Sequence, residues 1–160
     1  MSKSPRDTGQ RSRNMSAEPY RILFVCTGNS ARSQLAEGLA NHLGAGQVEA
    51  QSAGTFPIGV NSYAVEVLKE REIDAAGQYS KGLDEVIEPF DLIVTLCDSA
   101  VKECPAPLLS RKHEHWSTPD PSFVGGGPDA VRDSFREVRD RLEGQIKELI
   151  NRVRPDGGDS

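Results

Sequence analysis

Cysteine is scarce in this chain of 160 residues: there are three, at positions 26, 97 and 104. None forms a Cys-x-x-Cys pair, and no Cys/His cluster has zinc-ligand spacing. An odd number of cysteines without a secretion signal argues against a static disulfide framework and for a reduced, cytoplasmic setting. No apolar run approaches the ~18 residues of a membrane span. Basic residues are not in excess: 19 Lys and Arg face 24 Asp and Glu, a net charge of -5. That balance argues against nucleic acid or an anionic membrane as a partner. The G-x-x-x-x-G-K-[ST] cradle for nucleotide phosphates is missing as well.

What is present reads as one folded domain over residues 20–154. Residues 1–19 are polar and rich in Ser, Arg and Gly, and are expected to form a disordered arm, with Met15 a possible native start. Residues 155–160 are expected to be a flexible tail. With no apolar surplus, a monomer is expected. "RILFVC" (Arg21 to Cys26) and "DLIVTLC" (Asp91 to Cys97) are apolar throughout their centres, as strands covered on both faces are. "QVEAQSAG" and "KHEHW" read as shorter strands, the last at a sheet edge. Leu35, Leu39 and Leu43 mark one helix ending near Gly44. Ala64, Val65 and Leu68 mark a second behind a capping Asn61. Val131, Phe135, Val138, Leu142, Ile146, Leu149 and Val153 mark a third, with Pro128 in its first turn. Strands alternating with helices predict an α/β sandwich around a mostly parallel sheet of about four strands. His113 and His115 share a strand face, but two histidines make a weak metal site and none is expected.

In such sheets ligands sit beyond the carboxyl ends of the strands, where Cys26 and Cys97 both fall. "CTGNSARS" has the form C-x5-R-S between strand and helix. A turn of that length curls its N–H groups around one point, and the following helix adds its positive end. Thr27, Gly28, Asn29, Ser30, Ala31, Arg32 and Ser33 are therefore expected to cradle a tetrahedral oxyanion. Gly28 is expected to supply an unusual backbone conformation, and Asn29 tolerates positive φ. Arg32 brings a planar fork for two anion oxygens. The same field favours the thiolate form of Cys26, and Ser33 can donate to it. A strand-end cysteine is by itself most often a small core residue. Joined to Gly28, Asn29 and Arg32 in this setting, it reads as a nucleophile aimed at the anion's central atom.

"CTGNSARSQLAEG" resembles the phosphate loop of the low-molecular-weight tyrosine phosphatase fold, and more closely that of the thioredoxin-coupled arsenate reductases built on it. "SAGT" (52–55), "VTLCDSAVKECP" (94–105), "HW" (115–116) and "DP" (120–121) extend the likeness over nearly the whole folded domain. The resemblance implies a three-layer α/β sandwich. It also implies a reaction in which Cys26 attacks arsenate, Cys97 attacks Cys26 as arsenite leaves, and Cys104 attacks Cys97. The resulting Cys97–Cys104 disulfide is recycled by thioredoxin, with no bound cofactor. Asp120 is implied as the proton donor to the leaving oxygen. If residues 97–104 are helical their ends lie roughly 10 Å apart, whereas a disulfide needs Cα atoms within about 7 Å. A mobile segment around Asp98 to Pro107 is therefore expected, with Pro105 disfavouring helix at Cys104.

Some relatives hold potassium behind the loop with an asparagine, a glutamate, a serine and an aspartate. Asn29, Glu37 and Ser52 match, but Lys81 stands in the aspartate's place, and its ammonium is expected to replace the ion. Ala31 stands where many relatives have a further cysteine that the relay does not use.

Two other readings remain. A tyrosine phosphatase acting through a phosphocysteine at Cys26 shares the loop and the acid. Relatives of that kind usually read RSP where this chain has Arg32-Ser33-Gln34, and place aromatics directly after the Asp-Pro pair. A non-catalytic oxyanion-binding or redox-sensing module would need neither Asp120 nor two more thiols. Phosphate or sulfate is expected to compete with arsenate, and a glutaredoxin or mycoredoxin is the alternative reductant.

Overall fold

The computed structural model describes residues 18–87, 89–97 and 112–153. The expectations for the N-terminal arm, for Cys104, Pro105 and the segment around them, and for the C-terminal tail lie outside the described residues. Among the described residues, four strands, β1 (Tyr20–Cys26), β2 (Val48–Gly54), β3 (Leu92–Thr95) and β4 (His113–His115), make one sheet in the order β2-β1-β3-β4. Every pairing is parallel, with Cys26 opposite Gly54 and Val25 opposite Thr95. The α/β sandwich expected from the sequence is present, with a sheet that is parallel throughout. Ile22, Leu23, Phe24 and Val25 are all fully buried, so β1 is covered on both faces and its unbroken apolar run is explained.

Among the described residues, three α-helices accompany the sheet: α1 (Arg32–Leu43), α2 (Ser62–Lys69) and α3 (Pro128–Val153). They pack on one another, α1 also against β1 and β2. Helix α3 buries Phe135, Val138, Leu142, Ile146 and Leu149 of the expected stripe, while Val131 and Val153 are half-buried at its ends. Helix α2 differs in detail. It buries Ala64, Val67 and Leu68, while Val65 is 37% exposed. Ala64, Val67 and Leu68 are as good a helical stripe as the predicted one, and packing chooses between them. Asn61 caps α2 as expected, its Oδ1 accepting from Tyr63 N at 2.8 Å. Helix α1 ends at Gly44, which is not left-handed. A side chain at 44 would bring its Cβ to 2.7 Å from that of Val48, so close approach is what requires glycine there.

Helices α2 and α3 are tied by ion pairs that the apolar pattern did not reveal. Arg139 is buried and donates to the Val67 carbonyl and to Glu70. Glu70 also receives Arg136, at 2.7 Å, and Arg132 meets Glu66 at 2.6 Å. The two guanidiniums hold the Glu70 carboxyl well below the usual carboxylate range, at about 2. A carboxyl depressed in the folded state stabilises above its unfolded value of 4.5, and that contribution is lost as pH falls toward 2. Denaturant midpoints measured from pH 6 down to pH 2.5 should therefore fall steeply in the wild type. Glu70→Gln should start lower and fall less steeply; identical slopes would show that Glu70 is not linked to folding.

Candidate active site

The loop after β1 owes its shape to bonds made on its outer side. Thr55 N donates to the carbonyl of Cys26, Phe56 N to Thr27, Ile58 N to Gly28 and Asn61 N to Ser30, at 2.8–3.2 Å. Gln34 Nε2 donates to the Asn29 carbonyl, and Ser80 Oγ adds a second bond to Gly28. Five consecutive carbonyls are thus drawn outward, which leaves their peptide N–H groups to face the other way. Among the described residues, no N–H of residues 27–33 donates to another group. Helix α1 begins at Arg32 with no side-chain cap and no acidic residue in its first turn. Unpaired N–H groups and a positive helix end therefore converge on one point, a nest for an oxyanion.

Asn29 adopts the positive φ, at 48°. Gly28 does not, which corrects the reason expected for it: a Cβ there would lie 3.0 Å from Ile58 Cγ1, so glycine makes room for the neighbouring segment. Gly54 matters for the same cause. A Cβ on it would come within 2.5 Å of the Thr27 carbonyl oxygen.

Behind the loop a buried polar network has a fixed direction. The Lys81 backbone N–H, which can only donate, points at Asn29 Oδ1 at 2.8 Å and so identifies that atom as the oxygen. Asn29 Nδ2 must then donate, to Ser33 Oγ at 2.8 Å and to Ser52 Oγ at 3.0 Å. Ser33 accepts from Asn29, which leaves its own proton for Cys26 Sγ at 2.9 Å. Ser52 likewise donates onward to Glu37. Burial holds the Glu37 carboxyl above the usual range, opposed by Ser52 and by the Lys81 ammonium 3.8 Å away. Lys81 also donates to the Tyr79 carbonyl and lies over the Tyr79 ring.

On the open side is a cavity of about 450 Å³ lined by Cys26, Thr27, Gly28, Ser30, Ala31, Arg32 and Asp120 among others. Asn29 and Ser33 are fully buried behind it. Arg32 Nη1 donates to the Thr118 carbonyl, and Nη2 lies 3.5 Å from Asp120 Oδ2. The other oxygen of Asp120 accepts from the backbone N–H and hydroxyl of Ser122. Cys97 Sγ lies 3.2 Å from Thr27 Oγ1, so a second thiol is held beside the loop through one hydroxyl. Of the candidate site residues, Cys104 lies outside the described residues. Phe56, Ile58, Asn61 and Ser122 also line the cavity, and sequence reasoning did not single them out as part of the site. His113 Nε2 and His115 Nδ1 converge on Thr95 Oγ1, at 3.0 and 2.8 Å, away from this cavity's lining.

A strand-to-helix oxyanion nest with a buried cysteine at its base is the site of the low-molecular-weight phosphatase fold. Residues 21–158 match the low molecular weight phosphotyrosine protein phosphatase family, and the chain belongs to it. Among its relatives is the arsenate reductase of Bacillus subtilis (strain 168), 39% identical over 129 residues, covering 80% of this chain and 93% of that protein. A solved arsenate reductase in its phosphate-binding state superposes with a TM-score of 0.71 at 31% identity, covering 83% of this chain and 98% of that one. A thioredoxin-dependent arsenate reductase from Corynebacterium glutamicum superposes at 0.65 and 27% identity, over 89% of this chain and 66% of that one. The three-layer α/β fold is common to the family.

Replacing Lys81 by Met would leave the Glu37 carboxylate buried without its cation. Removing one partner of a buried pair typically costs about 3 kcal/mol. Chemical denaturation of Lys81→Met at pH 7 should show a loss of that order. The loss should shrink on acidification, because protonating Glu37 removes the uncompensated charge.

Proposed function

We propose that the protein reduces arsenate to arsenite, and that Cys26, Cys97 and Cys104 carry the two electrons. The observation that carries this reading is the second thiol: Cys97 is tethered to the oxyanion loop through Thr27, where a phosphatase has no use for it. Relatives at about 40% identity that are arsenate reductases support the same conclusion.

Arsenate enters the nest with its oxygens on the loop N–H groups and the Arg32 fork. The Cys26 thiolate, stabilised by the Ser33 proton, attacks arsenic. One hydroxyl leaves as water with a proton from Asp120, and a sulfur–arsenic bond forms. Cys97 then attacks Cys26 Sγ. The sulfur–arsenic bond breaks with its electron pair going to arsenic, which leaves as arsenite, and a Cys26–Cys97 disulfide results. Attack of Cys104 on Cys97 frees Cys26, and an external dithiol protein, thioredoxin, reduces the Cys97–Cys104 disulfide. No resident cofactor is needed, because the thiols supply both electrons. Lys81 takes the electrostatic part that a potassium ion plays in some relatives, its ammonium facing Glu37 at 3.8 Å.

The test follows NADPH oxidation in a mixture of the protein, thioredoxin, thioredoxin reductase and arsenate. Turnover should depend on arsenate and be abolished in Cys26→Ser and Cys104→Ser. Silence with every thiol reductant, beside brisk hydrolysis of an aryl phosphate, would overturn the reading in favour of a phosphatase. Thr27→Val should slow turnover about fivefold, the worth of one ordinary hydrogen bond, with oxyanion affinity little changed.

A further inference from the structure

Asn61 is one of the polar residues lining the cavity that the mechanism above leaves unused. Asn61 lines the same cavity as Cys26, Arg32 and Asp120. Its position is fixed twice: its backbone N–H donates to the Ser30 carbonyl at 2.9 Å, and its Oδ1 accepts from Tyr63 N at 2.8 Å. Since Tyr63 N can only donate, the atom facing it is the oxygen, and the amide nitrogen is turned away from the cap. Among the described residues that nitrogen has no hydrogen-bond partner. Helix capping therefore uses one end of this side chain and leaves the two N–H donors of its other end on a residue that lines the cavity. A cap alone does not require an amide, because serine or aspartate serves as well.

We propose that Asn61 is a substrate-binding residue, its Nδ2 donating to an oxygen of the bound tetrahedral oxyanion. It supplies from the side chain that caps α2 what the loop supplies from its backbone. Arg32 grips the anion as a charge, whereas Asn61 grips it as a neutral donor that adds no cation to the pocket. The inference rests on reading the cavity as an oxyanion site.

The experiment uses the full-length protein and measures the concentration of arsenate, and separately of inorganic phosphate, that half-protects Cys26 from alkylation by iodoacetamide. Asn61→Ser keeps the cap and removes the donor. Asn61→Asp keeps the cap and replaces the donor with a carboxylate. Both should melt within a degree or two of the wild type. The half-protecting concentration should rise about tenfold in Asn61→Ser, as loss of a hydrogen bond to a charged group does, and further in Asn61→Asp. Unchanged protection in Asn61→Ser would overturn the proposal while leaving the oxyanion site intact. A wild type that neither anion protects would overturn the site itself, and the role of Asn61 with it.

Discussion

The site depends on where five carbonyl groups point. From Cys26 to Ser30 each backbone oxygen is bonded outside the loop, four of them to N–H groups of residues 55–61 and the fifth to the Gln34 side chain. A peptide plane has two ends, so holding the oxygens outward commits the nitrogens inward. The rest of the local structure serves that arrangement. Asn29 takes a left-handed turn, Gly54 clears space behind Thr27, and β2 lies beside β1 so that the segment following it runs along the loop. An oxyanion nest made this way has its donors in place before any ligand arrives, and preorganised donors lose little on binding.

The nest and the thiol are joined through Asn29. Its carbonyl helps to shape the loop, and its side chain sets the direction of the hydrogen bonds that end at Cys26. The orientation starts from a main-chain N–H of Lys81, which no substitution short of proline can remove. The Lys81 side chain answers a different need by compensating Glu37 in the interior. One residue thus contributes backbone to the polarity of the network and side chain to its charge balance. Substitutions at 81 are expected to separate the two.

Much of the fold was legible because its elements have periodic causes. β1 and β3 are buried on both faces and read as apolar runs, and α3 repeats its core residues over 26 positions. The strand-to-helix loop was legible because its pattern is compressed into eight consecutive residues. What was hidden has no period. Residues 55–61 hold the loop through main-chain atoms, while Phe56 and Ile58 stay largely exposed, so their side chains carry no trace of the task. Gly28 could be singled out from the sequence but not for the right reason, since close approach and positive φ leave the same letter. Helix α2 offered two overlapping stripes, and only packing distinguishes Val67 from Val65. Arg139 was invisible because an apolar pattern has no place for a buried guanidinium that finds Glu70 just past the end of α2.

A cradle made mainly of backbone N–H groups measures shape and charge, not the identity of the central atom. Tetrahedral oxyanions of similar size therefore meet nearly the same welcome, and inside a cell phosphate is far more abundant than arsenate. Under the proposed mechanism the choice between them falls after binding. Phosphorus in a cysteine adduct does not accept two electrons from a neighbouring thiol, whereas arsenic does. The loop then acts as an impartial gate, and Cys97, held one hydroxyl away from it, acts as the judge.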